Sequence, residues 1–345
     1  MPVSPAYAEG LSEPLVAMYA EAERVLLERI GRSMATGLDA PTWAEQKLLE
    51  VQLVQAGYAR DLERLHRSML RRLFDAIRAA WNRGQGSAEV DLGQRQARQT
   101  ADALQPALAA LIRDTTDRLV AVEQRTLRAI PDVYRDVTRK AAAQTLIGSQ
   151  TRREAAQDAL DRLADRGITG FVDVSGRRWD ATSYVEMSVR TATGRAAVEG
   201  HTTRLQAAGQ DLIRVSDAPQ ECSVCRRFEG KVLSLSGTGY PSLDNARAAG
   251  FMHPGCRHSI SIYLPGITQL PERTADPDGD RARQHLRYLE RQVRASRRRE
   301  AVALDDTAKA AARRRAAAYQ AKIREHVATT SAKRQGHRER LGVPR

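Results

Sequence analysis

The chain has 345 residues, of which only 5% are aromatic, and a formal net charge of +13. Its length suggests two or three domains, and scarce aromatics beside abundant alanine, arginine, leucine and glutamine favour helices with modest cores over a large sheet protein. No run of 18 apolar residues occurs, which argues against a membrane-spanning helix.

The opening residues, MPVSPAYAEGLSEP, have neither a basic start nor an apolar stretch and do not read as a signal peptide. Three cysteines, an odd number, argue against a secreted disulfide scaffold and for a reducing cytosol. The excess charge is confined to one end. Residues 281–345 hold 19 Lys/Arg against 6 Asp/Glu, and the rest of the chain balances at 36 of each sign. Such a segment points to a polyanion, either nucleic acid or an acidic protein face.

In chain order, Leu15, Met18, Ala22, Val25, Leu26 and Ile30 recur at helical spacing and predict a helix over 14–32. A second helix follows over about 42–83, with Tyr58, Leu62, Leu65, Met69, Leu73 and Ile77 on one face and Pro41 suited to its start. The run NRGQGS at 82–87 reads as a loop. Helical patterning resumes near Leu92 and continues to Ile130, where Pro131 predicts a break or kink. Further helices cover 132–147 and 152–166. His66, surrounded by basic residues, reads as a solvated helix position. The long apolar stripes suit a bundle or an extended arm that packs on a partner.

The texture changes at Gly167. Ile168–Val174 is strand-like, SGRRWD makes a turn, and Asp180 or Ser183 can cap a helix that runs to about Leu205. Three more strands are expected at 211–215, 231–235 and 259–264. A polar linker, TQLPERTADPDGD, then leads to a helix from Arg281 with a thin Leu286–Leu289–Val293 stripe. Asp305 or Asp306 caps a second helix with Tyr319, Ile323 and Val327 in line, so the two can close as a hairpin with basic outer faces. The last 15 residues read as disordered. The expected fold is mostly α with a small α+β zinc-stapled domain. It comprises a helical N-terminal region (1–166), the α+β domain (167–266), a linker (267–280) and a basic helical tail (281–345).

All three cysteines lie within about one tenth of the chain, in ECSVC and HPGCRH. Each pair of donors, Cys222 with Cys225 and His253 with Cys256, is separated by two residues, which lets the backbone turn and aim both at one ion. A thiolate-rich set with one imidazole suits zinc, and four protein ligands make a closed, structural site. The expected ligands are Cys222, Cys225, His253 and Cys256, with His258 as a substitute for His253 or a group behind the ligands. Buried reduced thiols and a redox pair are the alternatives.

The run FVDVSGRRWDATSYVEMSVRTATGRAAVEGH, then DLIRVSDAPQECSVCRRFEGKVLSLSG, then HPGCRHSISIYLPG, resembles the phage minor capsid protein 2 family, similar to the F-like head-morphogenesis proteins of phage Mu. Cys222, Cys225, Gly230, His253, Pro254, Cys256 and Arg257 match the family pattern in order, and His258 stands where many relatives place a fourth cysteine. The resemblance implies a structural protein of a tailed-phage head. Its expected partners are the portal or the major capsid protein, and its expected places are the host cytoplasm during assembly and then the virion. The tail would touch packaged double-stranded DNA through phosphates, without base recognition and with no membrane involved; the candidate contacts are Arg291, Arg294, Arg297, Arg298, Arg299, Arg313, Arg314 and Arg315.

Two other readings compete. Asp217, Asp244, Asn245, His253 and His258 surround the cysteines, as in a metal-dependent nuclease. That chemistry needs a second, open metal site with a general base, and neither His-Glu-x-x-His nor Gly-x-Ser-x-Gly occurs. A cellular DNA-binding protein with a zinc ribbon would need a groove-reading helix, which the sequence does not offer.

Overall fold

The computed structural model describes residues 3, 9–93, 106–168, 171–172, 176, 178–218, 220, 222–253, 256–270, 272 and 274–342. In order the elements are α1 (Glu9–Ala35), α2 (Trp43–Asp91), α3 (Pro106–Leu146), α4 (Arg152–Arg166), β1 (Phe171–Val172), β2 (Arg178–Trp179), α5 (Ala181–Ala207), β3 (Leu212–Val215), α6 (Ser223–Arg226), β4 (Val232–Ser234), α7 (Leu243–Ala248), β5 (Ile260–Ile262), α8 (Pro277–Ala301) and α9 (Asp306–Thr329), then a 3-10 turn at Gly336–Glu339. The fold is mostly helical, with a three-stranded antiparallel sheet in the order β4-β3-β5 and a separate β1-β2 hairpin. No helix among the described residues is long and apolar enough to cross a membrane. The chain divides into two compact units. The first comprises Met1–Leu15, Leu70–Arg118 and Glu186–Arg283; the second comprises Val16–Met69, Leu119–Val185 and Gln284–Arg345.

The second unit is built on apolar helix faces. Leu26, Leu27, Ile30 and Met34 of α1 form one core with Tyr58 and Leu62 of α2, Ile130, Tyr134 and Val137 of α3, and Ala156 and Leu160 of α4. Trp43 is buried there and donates its indole N–H to the Met34 carbonyl at 3.0 Å. α4 opens on a capping box, in which Thr151 accepts from the Glu154 N–H and Glu154 accepts from that of Thr151.

The expected break at Pro131 does not occur, and α3 runs through it. Proline cannot supply the N–H that the carbonyl four residues earlier requires. That carbonyl belongs to Leu127, and the side-chain amide of Gln55 donates to it at 3.0 Å instead. His66 is also not simply solvated: its Nδ1 lies 3.2 Å from Glu123, which accepts from the Tyr19 hydroxyl at 2.6 Å.

α8 and α9 carry buried Leu286, Leu289, Val293 and Ile323, as the stripes predict, and His285 meets His326 at 4.9 Å between ring centroids. α8 opens at Pro277, four residues before the expected Arg281, and Asp305 caps α9 by accepting from the Ala308 N–H. The described part of the last 15 residues is ordered, contrary to expectation. Arg338 and Glu339 are buried, Glu339 pairs with Arg334, and the Gln335 N–H donates to Glu290. Near β1, residues 169–170 and 173–174 of the expected strand lie outside the described residues, and the paired part is Phe171–Val172 against Arg178–Trp179.

In the first unit, the expected loop at 82–87 is instead helical, because α2 continues to Asp91. Gly84 sits where this stretch of α2 meets α5. A Cβ there would lie 1.9 Å from the Ala197 carbonyl oxygen of α5, and one on Gly200 would lie 2.3 Å from the Trp81 carbonyl oxygen. The two glycines let the backbones approach more closely than any side chain permits. The renewed helix expected from Leu92 falls partly on residues 94–105, outside the described ones; α3 begins at Pro106.

The three strands at 212–215, 232–234 and 260–262 fall within the expected ones, with Ile213, Val215, Leu233 and Ile260 buried. The outer edge of β5 is covered. Val3 exchanges both backbone hydrogen bonds with Ile260, and Asp91 accepts from the Ile262 N–H at 3.4 Å and faces His201 Nε2 at 3.2 Å.

Candidate metal centre

Two short chain reversals bring the cysteines together. Cys222 stands immediately before the single turn α6, and its carbonyl accepts from the N–H groups of Cys225 and Arg226 at 3.2 Å, so one helical turn places Cys222 and Cys225 side by side. Gly230, at φ 64°, then turns the chain into β4, and its N–H donates to the Val215 carbonyl of β3. The second reversal follows α7. Gly250 and Met252 both have positive φ, at 96° and 55°. Met252 is a residue that rarely adopts this conformation, and it directly precedes His253. The Cys256 N–H donates to the His253 carbonyl at 2.9 Å just before β5 begins.

Five donors gather at this point, in two triads that share Cys225: Cys222, Cys225 and His253, and Cys225, Cys256 and His258. The ligand atoms of each triad lie within 4.8 Å of one another. Cys225 Sγ is 3.7 Å from Cys256 Sγ, Cys256 Sγ is 3.4 Å from His258 Nδ1, and Cys222 Sγ is 2.9 Å from His253 Nε2. Cys225, Cys256 and His258 are buried, while Cys222 and His253 are half-buried. Among the described residues no other group of three or more Cys, His, Asp or Glu donors lies within 4.8 Å.

The electrostatics suit a cation. Burial pushes the Cys222 thiol up; a hydrogen bond with Cys256 raises Cys225 and, reciprocally, lowers Cys256. Burial opposes a charged His258, yet the facing Cys225 and Glu229 outweigh it and raise its pKa. A divalent ion would supply the missing positive charge, deprotonating the thiols and keeping the imidazole neutral. The buried triad of Cys225, Cys256 and His258 fits such an ion. With Zn–S near 2.3 Å, two thiolates of a tetrahedral site stand about 3.8 Å apart, close to what Cys225 and Cys256 show. The donor chemistry, thiolate with imidazole, is also that of a zinc site.

One participant is absent from the sequence reading. Glu229, only 1% exposed, lies 2.7 Å from His258 Nε2, on the side of the ring away from the thiols. Its sequence signal is slight: a lone acid in CRRFEG, seven residues after the first cysteine. The acids that a nuclease reading enlists are engaged elsewhere. Asp217 accepts from the Thr274 N–H at 3.2 Å, and exposed Asp244 pairs with Arg247 at 3.4 Å.

The family model of phage minor capsid protein 2 matches residues 3–328, nearly the whole chain. The chain belongs to the phage minor capsid protein 2 family. Among curated proteins and among solved structures, no match was found.

In this minor capsid protein the eight candidate arginines do not share one surface. Arg294 and Arg298 are buried in the second unit. Arg294 lies 3.9 Å from Asp180 and donates to the Ser183 hydroxyl at 2.6 Å, and Arg298 donates to the Ala164 carbonyl and lies 3.8 Å from Glu23. They neutralise buried acids and join helices, and are interior residues rather than polyanion contacts. Arg299 pairs with Asp161 and Asp165, and Glu300 takes both Arg297 and Arg313. Arg315 is half-buried beside Asp165. Arg291, Arg313 and Arg314 are exposed.

Proposed function

We propose that this protein is a structural minor component of a tailed-phage head that acts during head assembly at the portal or on the capsid interior. The match to the family across residues 3–328 carries this reading. In it, the cysteine cluster holds one structural zinc ion through the thiolates of Cys222, Cys225 and Cys256 and one imidazole, His253 or His258. The ion would supply no chemistry beyond tying the β3–β4 turn to the approach to β5. The engagement of Asp217 and Asp244 away from the cluster supports a structural role over a hydrolytic one.

The exposed arginines of the C-terminal helices, Arg291, Arg313 and Arg314, are the groups offered to packaged DNA. They would meet phosphates without reading bases, so binding weakens steeply with salt. Two experiments test the reading. Mass spectrometry of purified virions and of assembly intermediates should find the protein in both, cross-linked to portal or major capsid protein. Its absence from both would overturn a structural role. Replacing Arg313 and Arg314 by glutamate should lower the salt slope of double-stranded DNA binding by about one for each phosphate no longer neutralised, and an unchanged slope would remove DNA from the account.

A further inference from the structure

The two histidines of the cluster are not equivalent. In a tetrahedral zinc site with Zn–S near 2.3 Å and Zn–N near 2.0–2.1 Å, a thiolate sulfur and an imidazole nitrogen stand about 3.5 Å apart. Cys256 Sγ and His258 Nδ1 are 3.4 Å apart, as two ligands of one ion should be. Cys222 Sγ and His253 Nε2 are 2.9 Å apart, roughly half an ångström too close for two ligands of one ion, and His253 is not in the triad of Cys225, Cys256 and His258. His253 is also half-buried, while His258 is 1% exposed.

The far side of the His258 ring explains why it can ligate. The Glu229 carboxylate is 1% exposed and lies 2.7 Å from Nε2. A carboxylate placed here accepts a hydrogen bond from the ring, which favours the tautomer with the proton on Nε2. The neutral ring then has its lone pair on Nδ1, aimed at the thiols of Cys256 and Cys225. Glu229 is held in turn by the Ala218 N–H at 3.4 Å, on the segment between β3 and Cys222. A carboxylate behind a ligating imidazole fixes the tautomer and strengthens the ligand, and its loss typically costs 10–100-fold in metal affinity.

We infer that Glu229 is a positioning residue that makes His258 a ligand, so that the ion is held on the buried triad of Cys225, Cys256 and His258, with Cys222, the neighbour of Cys225 in the other triad, drawn in as the fourth ligand and His253 left out. This rests on the reading that the cluster holds a metal. The test uses the full chain loaded with cobalt(II) as a spectroscopic substitute for zinc, with affinity measured by competition against a chelator. The unmodified chain should show thiolate-to-cobalt absorption for three sulfurs. His258→Cys should raise it to four, and His253→Ala should leave one metal bound.

Glu229→Ala should weaken binding about 10–100-fold, with Glu229→Gln, whose amide oxygen still accepts, in between. In the His258→Cys background Glu229→Ala should leave affinity unchanged, because a thiolate needs no tautomer. That rescue separates positioning from a merely structural ion pair. Metal lost in His253→Ala but kept in His258→Ala would overturn the assignment, as would equal losses from Glu229→Ala in both backgrounds. A folded, unmodified chain that gives no cobalt absorption would instead defeat the metal reading itself, and the assignment with it.

Discussion

Leu27, Ile30 and Met34 of α1 and Tyr134 of α3 are completely buried in the second unit, on helices of 27 and 41 residues. Around the cysteines of the first unit, by contrast, the strands are four, three and three residues long, α6 has four residues and α7 six. Long amphipathic helices accumulate apolar area turn by turn, at roughly 25 cal/mol per Å² buried. Elements as short as those in the cysteine region cannot, and small cores of this kind depend on a staple. The comparison therefore predicts that one region is held by packing and the other by an ion.

The largest effect belongs to the donor that both triads share. Cys225→Ser should abolish metal uptake, from about one ion per chain to near none by elemental mass spectrometry, because metal binding supplies folding energy in such sites. Retention of the ion would break the comparison at its weaker member. In the second unit, Ile30→Ala should cost about 2–5 kcal/mol in denaturant unfolding while leaving metal content untouched.

Next comes Gly84→Ala, whose new Cβ meets the Ala197 carbonyl oxygen. It should destabilise the chain by about 1–3 kcal/mol through overpacking, where alanine in an ordinary helix would stabilise.

Smallest is a pH effect in the second unit. Burial would raise the Asp180 carboxyl, but Arg294, Arg298 and the Ser183 N–H hold it at about 2. A depressed carboxylate stabilises the fold above its unfolded pKa, near 3.8, and loses that contribution as pH falls towards 2, for about 2 kcal/mol. Glu23, raised by burial, works in the opposite direction but above this window, since its penalty is already relieved once pH has fallen to about 4.5. Asp180→Asn should therefore flatten stability between pH 4 and pH 2, and an unchanged profile would show that the buried charges contribute nothing there.

What could be read from the sequence was whatever a residue does with its near neighbours. The strands at 212–215, 232–234 and 260–262, the Asp305 cap and the two cysteine-bearing turns all follow from local residue types and spacing. What escaped depends on a distant partner. Pro131 reads as a break until Gln55, 72 residues from Leu127, takes the carbonyl left open. Gly84 reads as a loop residue until Ala197 crosses it, and Arg298 reads as surface charge until the Ala164 carbonyl, 134 residues away, accepts from it. The candidate site divides in the same way. Its cysteines and histidines announced themselves, whereas Glu229 acquires its role only from the direction in which the His258 ring points.

The measurement that bears most directly on the account is hydrogen exchange of the full chain, followed by mass spectrometry, with zinc and after removal of zinc by a chelator. The account predicts that amides of β3, β4 and β5, with the turns at Cys222–Gly230 and Cys256–Ser259, lose protection when the ion is withdrawn, while core amides of α1, α3 and α4 in the second unit keep theirs. Equal protection of the cysteine region with and without the ion would contradict it, and would leave the thiols and imidazoles with no part in holding the fold.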